Sequence, residues 1–186
     1  SVVDLPAPLR PSSIVTCPAA LYGQIAKMAH GVMGHAVSAE DCYLAMRGLR
    51  TLHARMVQHQ ETALTLARWL AARPEVEQVL HPAFETTPGH EQWKRDLGKS
   101  SGLFGVVLKP CAPDRLEAML NGMRLFGMGF SWGGYESLII PSNLNAARTA
   151  KPWHAPGRTL RLHAGLEDPA DLIADLEDGF ARLRGN

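Results

Sequence analysis

Apolar residues recur at Leu49, Leu52, Met56, Ala63, Ala67 and Leu70, at intervals of three, four, seven, four and three. That spacing is the repeat of one helical face, and it predicts a single long helix from a cap at Ser38-Ala39-Glu40-Asp41 to a stop before Pro74. Ser38 offers the N-cap hydroxyl, and Glu40 and Asp41 sit in the first turn, where the positive end of the helix favours them. Short apolar runs appear elsewhere. Val76–Leu80 predicts a strand, and Gly102–Lys109 is nearly continuous in apolar residues, so a buried strand. Arg124–Met128 and Leu138–Ile140 predict two more. Thr159–His163 alternates, which places Leu160 and Leu162 on one face and Arg161 on the other. Ile14–Thr16 suits a short strand and Pro18–Met28 a helix with proline in its first turn. Pro88–Asp96 reads as a loop with about two helical turns. Pro113–Leu120 suits a short helix with Leu116, Met119 and Leu120 on one side. A final helix begins at Asp168-Pro169, buries Leu172, Leu176, Phe180 and Leu183, and carries Arg182 and Arg184 near its end.

Together these elements predict an α+β fold, a sheet covered on one face by helices. Residues 1–13 hold Pro6, Pro8 and Pro11 and read as an irregular, extended arm. The chain's 186 residues, 46% hydrophobic, suffice for one domain, or for one domain plus part of another. A formal net charge of +1 gives no electrostatic reason to expect nucleic acid or an anionic membrane as partner. Cys17, Cys42 and Cys111 are widely spaced and odd in number, and no His-x-x-x-His pair occurs. Those patterns argue against a disulfide framework and a metal site. With neither a long apolar run nor a basic-then-apolar leader, the expectation is a cytoplasmic protein.

Candidate chemistry concentrates in Phe130-Ser131-Trp132-Gly133-Gly134-Tyr135-Glu136-Ser137-Leu138. Adjacent glycines let the backbone approach a ligand closely, and hydroxyls, aromatics and a carboxylate surround them on the way into an apolar strand. The competing reading is a tight turn whose Trp132 and Tyr135 fill core. Arg161, bounded by leucines on a strand, needs an anionic partner if buried, and its planar fork suits a carboxylate. An ordinary salt bridge to Glu136 or Glu167 is the competing reading there. His163 reads as a strand residue with a satisfied ring. Gly133, Gly134 and Glu136 read as structural turn residues.

Three motifs in order carry a resemblance: Arg47-Gly48-Leu49-Arg50-Thr51-Leu52, Ser131–Leu138, and Arg161-Leu162-His163-Ala164-Gly165-Leu166-Glu167-Asp168. Gly89-His90-Glu91, Trp93-Lys94-Arg95-Asp96 and Ser101-Gly102-Leu103-Phe104 strengthen it. Over residues 14–184 the chain resembles the C-terminal half of the transsulfuration enzymes, the Cys/Met-metabolism family of pyridoxal-phosphate (PLP) enzymes. The resemblance implies the C-terminal domain of a fold-type-I PLP enzyme over residues 46–186, preceded by a remnant of the PLP-binding large domain over 14–45. Members acting at the γ-carbon carry a leucine and no tyrosine in the Ser-x-Gly-Gly segment, and a Thr-His pair soon after Glu-Ser-Leu. Trp132, Tyr135 and Pro141-Ser142-Asn143 depart from that pattern, which favours the branch cleaving cystathionine at the β-carbon to homocysteine, pyruvate and ammonia.

By the same resemblance Arg161 holds the substrate α-carboxylate, Ser131 stands at the mouth of that site and Trp132 lines it. The partner is then a small amino acid, and the family's usual assembly is a homotetramer. The family's PLP-binding lysine lies just upstream of the segment matching Ile14–Thr16, where this chain has the lysine-free arm. No catalytic residue is therefore assigned, Lys27 being in the wrong motif. A truncated or split product is expected, inactive alone and exposing apolar surface along residues 14–45. A non-catalytic α+β binding module derived from the same domain is the alternative.

Overall fold

The computed structural model describes residues 23–185 apart from 26, 35 and 149. The proline-rich arm, the predicted strand at Ile14–Thr16 and the start of the Pro18–Met28 helix lie outside the described residues; 23–25 and 27 are helical. The chain divides into two units, Ser1–Arg50 and Thr51–Asn186.

In the first unit a π-helical turn, Met28–Val32, precedes helix α1, Ala39–Arg50. The expected cap forms: Ser38 Oγ accepts from the Asp41 amide at 3.0 Å and donates to the Asp41 carboxylate at 2.8 Å. Helix α1 buries none of its residues. Tyr43, Leu44, Met46 and Leu49 are exposed, as are Ile25, Met28, Val32, Met33 and Val37 before it.

The single long helix predicted from the apolar repeat is in fact two. Thr51 leaves helical geometry at φ −104° and ψ 3°, and α2 spans Leu52–Ala71. Gly48 and the β-branched Thr51 weaken helix propensity at this point. The apolar repeat also changes meaning across it. Leu49, Leu52 and Met56 are exposed, whereas Ala63, Ala67 and Leu70 are buried.

The second unit then forms β1 (Val76–Leu80), α3 (His90–Asp96), β2 (Leu103–Leu108), α4 (Pro113–Asn121), β3 (Leu138–Ser142), a turn of helix α5 (Leu144–Ala147), β4 (Thr159–His163) and α6 (Pro169–Arg184). The strands make one antiparallel sheet in the order β1-β2-β4-β3. Strand residues Val76, Val79, Phe104, Val106, Leu108, Ile139, Leu160 and Leu162 share one hydrophobic cluster with α2, α4 and α6. Helix α6 contributes Leu172, Leu176, Phe180 and Leu183, as its periodicity predicts. Its N-cap Asp168 accepts from the Ala170 amide at 2.7 Å, and Gly185 closes its C-terminus in the left-handed region. Arg161 and His163 occupy the intervening positions of β4. The sheet's two edges are irregular: β1 has a register shift between Val76 and Gln78, and β3 contains Pro141.

The strand expected at Arg124–Met128 does not form. Asp175, a buried residue of α6, accepts the amides of Arg124 (2.9 and 3.1 Å), Leu125 (2.8 Å) and Phe126 (3.1 Å). Three successive N–H groups converging on one carboxylate cannot alternate as a strand requires. Only Gly127 then pairs, beside the start of β3, donating to Ser137 O at 3.0 Å and accepting from the Ile139 amide at 2.9 Å.

Candidate functional site

Strand β4 runs between β2 and β3, and at Arg161 it faces Gly105 on one side and Ile140 on the other. The guanidinium reaches the segment that precedes β3. Its Nη2 donates to Gly129 O at 3.1 Å and, more weakly, to Ser131 O at 3.4 Å. Its Cζ lies 5.4 Å from the Trp132 ring centroid and 6.0 Å from that of Phe130. The structure thus brings together the three residues singled out in the sequence, Arg161, Ser131 and Trp132. Ser131 contributes its backbone carbonyl.

The two competing readings fail. Among the described residues no ion pair involves Arg161. Glu167 is engaged elsewhere, accepting from Ser137 N and Ser137 Oγ, each at 2.8 Å. Ser137 Oγ in turn accepts from the Gly165 amide at 2.8 Å. Nor do the aromatics fill core: Phe130, Trp132 and Tyr135 are 83%, 55% and 70% exposed. They stand as an open wall.

What remains is a half-buried cation whose bonds come from Nη2 alone. Burial pulls its pKa below the ordinary arginine value, but the group stays charged at neutral pH. Nη1 and Nε are left for a planar, bidentate acceptor, and a carboxylate is the side-on match to that edge. The rings of Phe130 and Trp132 bound the approach and favour a cation held between faces.

Gly133 adopts φ +84°, a conformation glycine takes without strain. The following turn is tied to His163, whose ring is not satisfied in the way the sequence suggested. Nε2 lies 3.1 Å from both Gly133 N and Gly134 O, while Nδ1 is buried without a partner. His59 of α2 packs against this ring at 5.1 Å between centroids. Burial lowers the His163 pKa; the bond to Gly134 opposes that shift, and His59 adds to it.

Phe130, the Gly129 carbonyl and the His163 contact were not singled out from sequence. Phe130 stands inside the conspicuous stretch and was within reach, but a backbone acceptor has no sequence signature. A cavity of about 620 Å³ at the Thr86–Arg95 loop, and two of about 340 and 450 Å³ beside Arg158, are not lined by Arg161.

The described residues fit a carboxylate better than they fit a cofactor. All five lysines, Lys27, Lys94, Lys99, Lys109 and Lys151, are exposed. A lysine that carries a cofactor as an imine is commonly desolvated, and these five are not. Among the described residues no group of His, Cys, Asp and Glu could hold a metal ion, and no helix is long and apolar enough to cross a membrane.

The model of the Cys/Met metabolism PLP-dependent enzymes matches residues 13–181. Cystathionine beta-lyase MetC of Escherichia coli strain K12 is 47% identical over 171 residues, covering 90% of this chain and 43% of that protein. The L-alanine/L-glutamate racemase of Wolbachia pipientis wMel is 42% identical over 152 residues, covering 81% and 38%. The crystal structure of cystathionine gamma synthase from Xanthomonas oryzae pv. oryzae in complex with cystathionine superposes with a TM-score of 0.70 at 34% identity, over 89% of this chain and 44% of that one. The chain therefore spans about two-fifths of the relatives it matches. Its antiparallel sheet and helices are part of a fold-type-I enzyme, and the chain belongs to the Cys/Met metabolism family of PLP-dependent enzymes.

Proposed function

We propose that residues 46–186 supply the substrate-carboxylate wall of a carbon–sulfur β-lyase, which converts cystathionine and water to homocysteine, pyruvate and ammonia. The observation that supports this most directly is the guanidinium of Arg161. Two backbone carbonyls hold one of its nitrogens, and no carboxylate of the described residues occupies the rest. Arg161 forks onto the amino-acid α-carboxylate, the Ser131 carbonyl fixes the arginine, and Trp132 limits the volume beside it.

Holding the carboxylate decides how the α-carbon is presented, not which bond breaks, so the wall alone does not separate lyases from other reactions at that carbon. The β-lyase branch rests on Trp132 and Tyr135 in the glycine turn and on Pro141-Ser142-Asn143 after it. The lysine that attaches the cofactor lies, in this reading, in the portion of the relatives that this chain does not span. No step through pyridoxal phosphate is assigned to the residues described.

Calorimetric titration with cystathionine tests the wall. Binding to the chain should weaken at least about tenfold in Arg161→Ala, since charge-assisted hydrogen bonds contribute about 1.5–3 kcal/mol. Equal binding by the two proteins would sink the reading. Borohydride reduction after adding PLP tests the lysine: a trapped adduct at one of the five lysines, specific over the others, would overturn the placement of the attachment site elsewhere.

A further inference from the structure

Two side chains hydrogen-bond to the backbone between Gly129 and Gly134, and both come from one face of β4. Arg161 takes the carbonyls of Gly129 and Ser131; His163 takes Gly133 N–H or Gly134 C=O. Packing does little to steer the glycines themselves, because a Cβ at either Gly133 or Gly134 would meet nothing within 4 Å. The ring, by contrast, is fixed from several sides. A Cβ at Gly102 would fall 2.9 Å from Nδ1, and the ring of His59 lies across it. His59 Nδ1 is 2.8 Å from the Ala164 carbonyl, which requires the proton there, and its buried Nε2 has no partner.

We propose that His163 is a positioning residue: its ring latches the Gly133–Gly134 turn and so keeps the Gly129 and Ser131 carbonyls on Nη2 of Arg161. The inference deepens, and rests on, the reading of Arg161 as a carboxylate anchor.

A neutral imidazole serves the turn in either tautomer. With the proton on Nδ1, Nε2 accepts from the Gly133 amide; with the proton on Nε2, it donates to the Gly134 carbonyl. An imidazolium loses the first option, keeps the bond to the Gly134 carbonyl and, like the Nδ1-protonated tautomer, buries an Nδ1–H that has no acceptor. The groups facing the ring are the Arg161 cation and His59, which disfavour protonation, and the Glu167 carboxylate, which favours it. Burial reinforces the former. Protonation therefore fixes the ring on the Gly134 carbonyl and releases the Gly133 amide.

Nitrogen-15 NMR of the chain across pH 4.5–8 tests this. The amide resonances of Gly133 and Gly134 and the side-chain Nε–H of Arg161 should all shift with the midpoint of the His163 ring, read from its own carbon-bound protons. In His163→Gln, which keeps a donor and an acceptor, those shifts should vanish while Gly133 exchange stays near wild type. His163→Ala should speed Gly133 amide exchange about tenfold, the loss of one ordinary hydrogen bond, with Leu125 and Phe126 amides unchanged. Flat turn resonances through the His163 midpoint would overturn the proposal. So would turn shifts that leave Arg161 unmoved, or equal Gly133 exchange in a folded His163→Ala protein. If that variant does not fold, the wild-type titration decides alone. Failure of cystathionine to bind, with these shifts intact, removes the carboxylate reading and leaves the latch standing.

Discussion

Asp175 and Arg161 are charges of opposite sign that the second unit treats in opposite ways. Asp175 is buried on α6, and four amide-to-carboxylate contacts from Arg124, Leu125 and Phe126 surround it. Arg161 is half-buried, and backbone carbonyls engage one of its nitrogens. The carboxylate is closed off and serves the fold. The guanidinium is left open, and an open charge held in place by backbone carbonyls suits a ligand of opposite sign. The two are also linked in space. The segment curled around Asp175 continues through Gly127, pinned beside β3, to the Gly129 carbonyl that Arg161 holds.

Breaking the closed charge should have the largest effect. Asp175→Ala removes the shared acceptor of three amides at once and should cost about 3 kcal/mol of unfolding free energy in urea titration; a loss below about 1 kcal/mol would show that the nest is dispensable. Ser137→Ala comes next. It removes the hydroxyl that bonds both Glu167 and Gly165, and about 1–2 kcal/mol should go with it, read by the same titration.

The third test is pH. The pKa of buried His81 is lowered mainly by desolvation and secondarily by Arg68, and that of His163 mainly by desolvation. A histidine whose folded pKa lies below its unfolded value binds fewer protons when folded, so stability rises with pH in that range. The contribution is complete above the unfolded pKa near 6.5 and is lost as pH falls from there to the folded pKa. Urea midpoints from pH 8 to 5 should therefore decline, and His163→Gln should flatten part of the decline. An unchanged slope in that variant would remove His163 from the account. The smallest effect on stability belongs to the open charge. Arg161→Lys should change unfolding free energy by less than about 1 kcal/mol while weakening carboxylate binding, because an ammonium cannot fork. A large loss of stability instead would place Arg161 with Asp175 as a structural residue.

The comparison also shows what a sequence makes legible. Helix α6 and strand β4 were plain because periodicity, cap and burial agree: Asp168 and Pro169 start the helix, and Leu160 and Leu162 alternate with Arg161. The break at Thr51 was hidden because one non-helical residue barely shifts the apolar phase on either side. The strand expected at Arg124–Met128 was wrong for a different reason. Its composition is suitable for a strand, but its amides are taken by a residue about fifty positions later, a long-range competition that no local window contains. At the site, the side chains Arg161 and Trp132 could be read, and so could the likeness that joined them. The carbonyls of Gly129 and Ser131, which hold the arginine in place, are common to every residue type and could not.

The margins of the sheet bear on how this chain meets other molecules. Along the outer side of β3, Gly127 already occupies the groups around Leu138, and Pro141 removes a donor farther along. At the opposite margin the register of β1 slips between Val76 and Gln78, a distortion that blunts a strand against further pairing. Neither margin offers a clean run of free amides and carbonyls for a foreign strand to copy. Association through the second unit is thereby steered away from amyloid-like strand addition and toward side-chain surfaces, such as the exposed rings of Phe130, Trp132 and Tyr135.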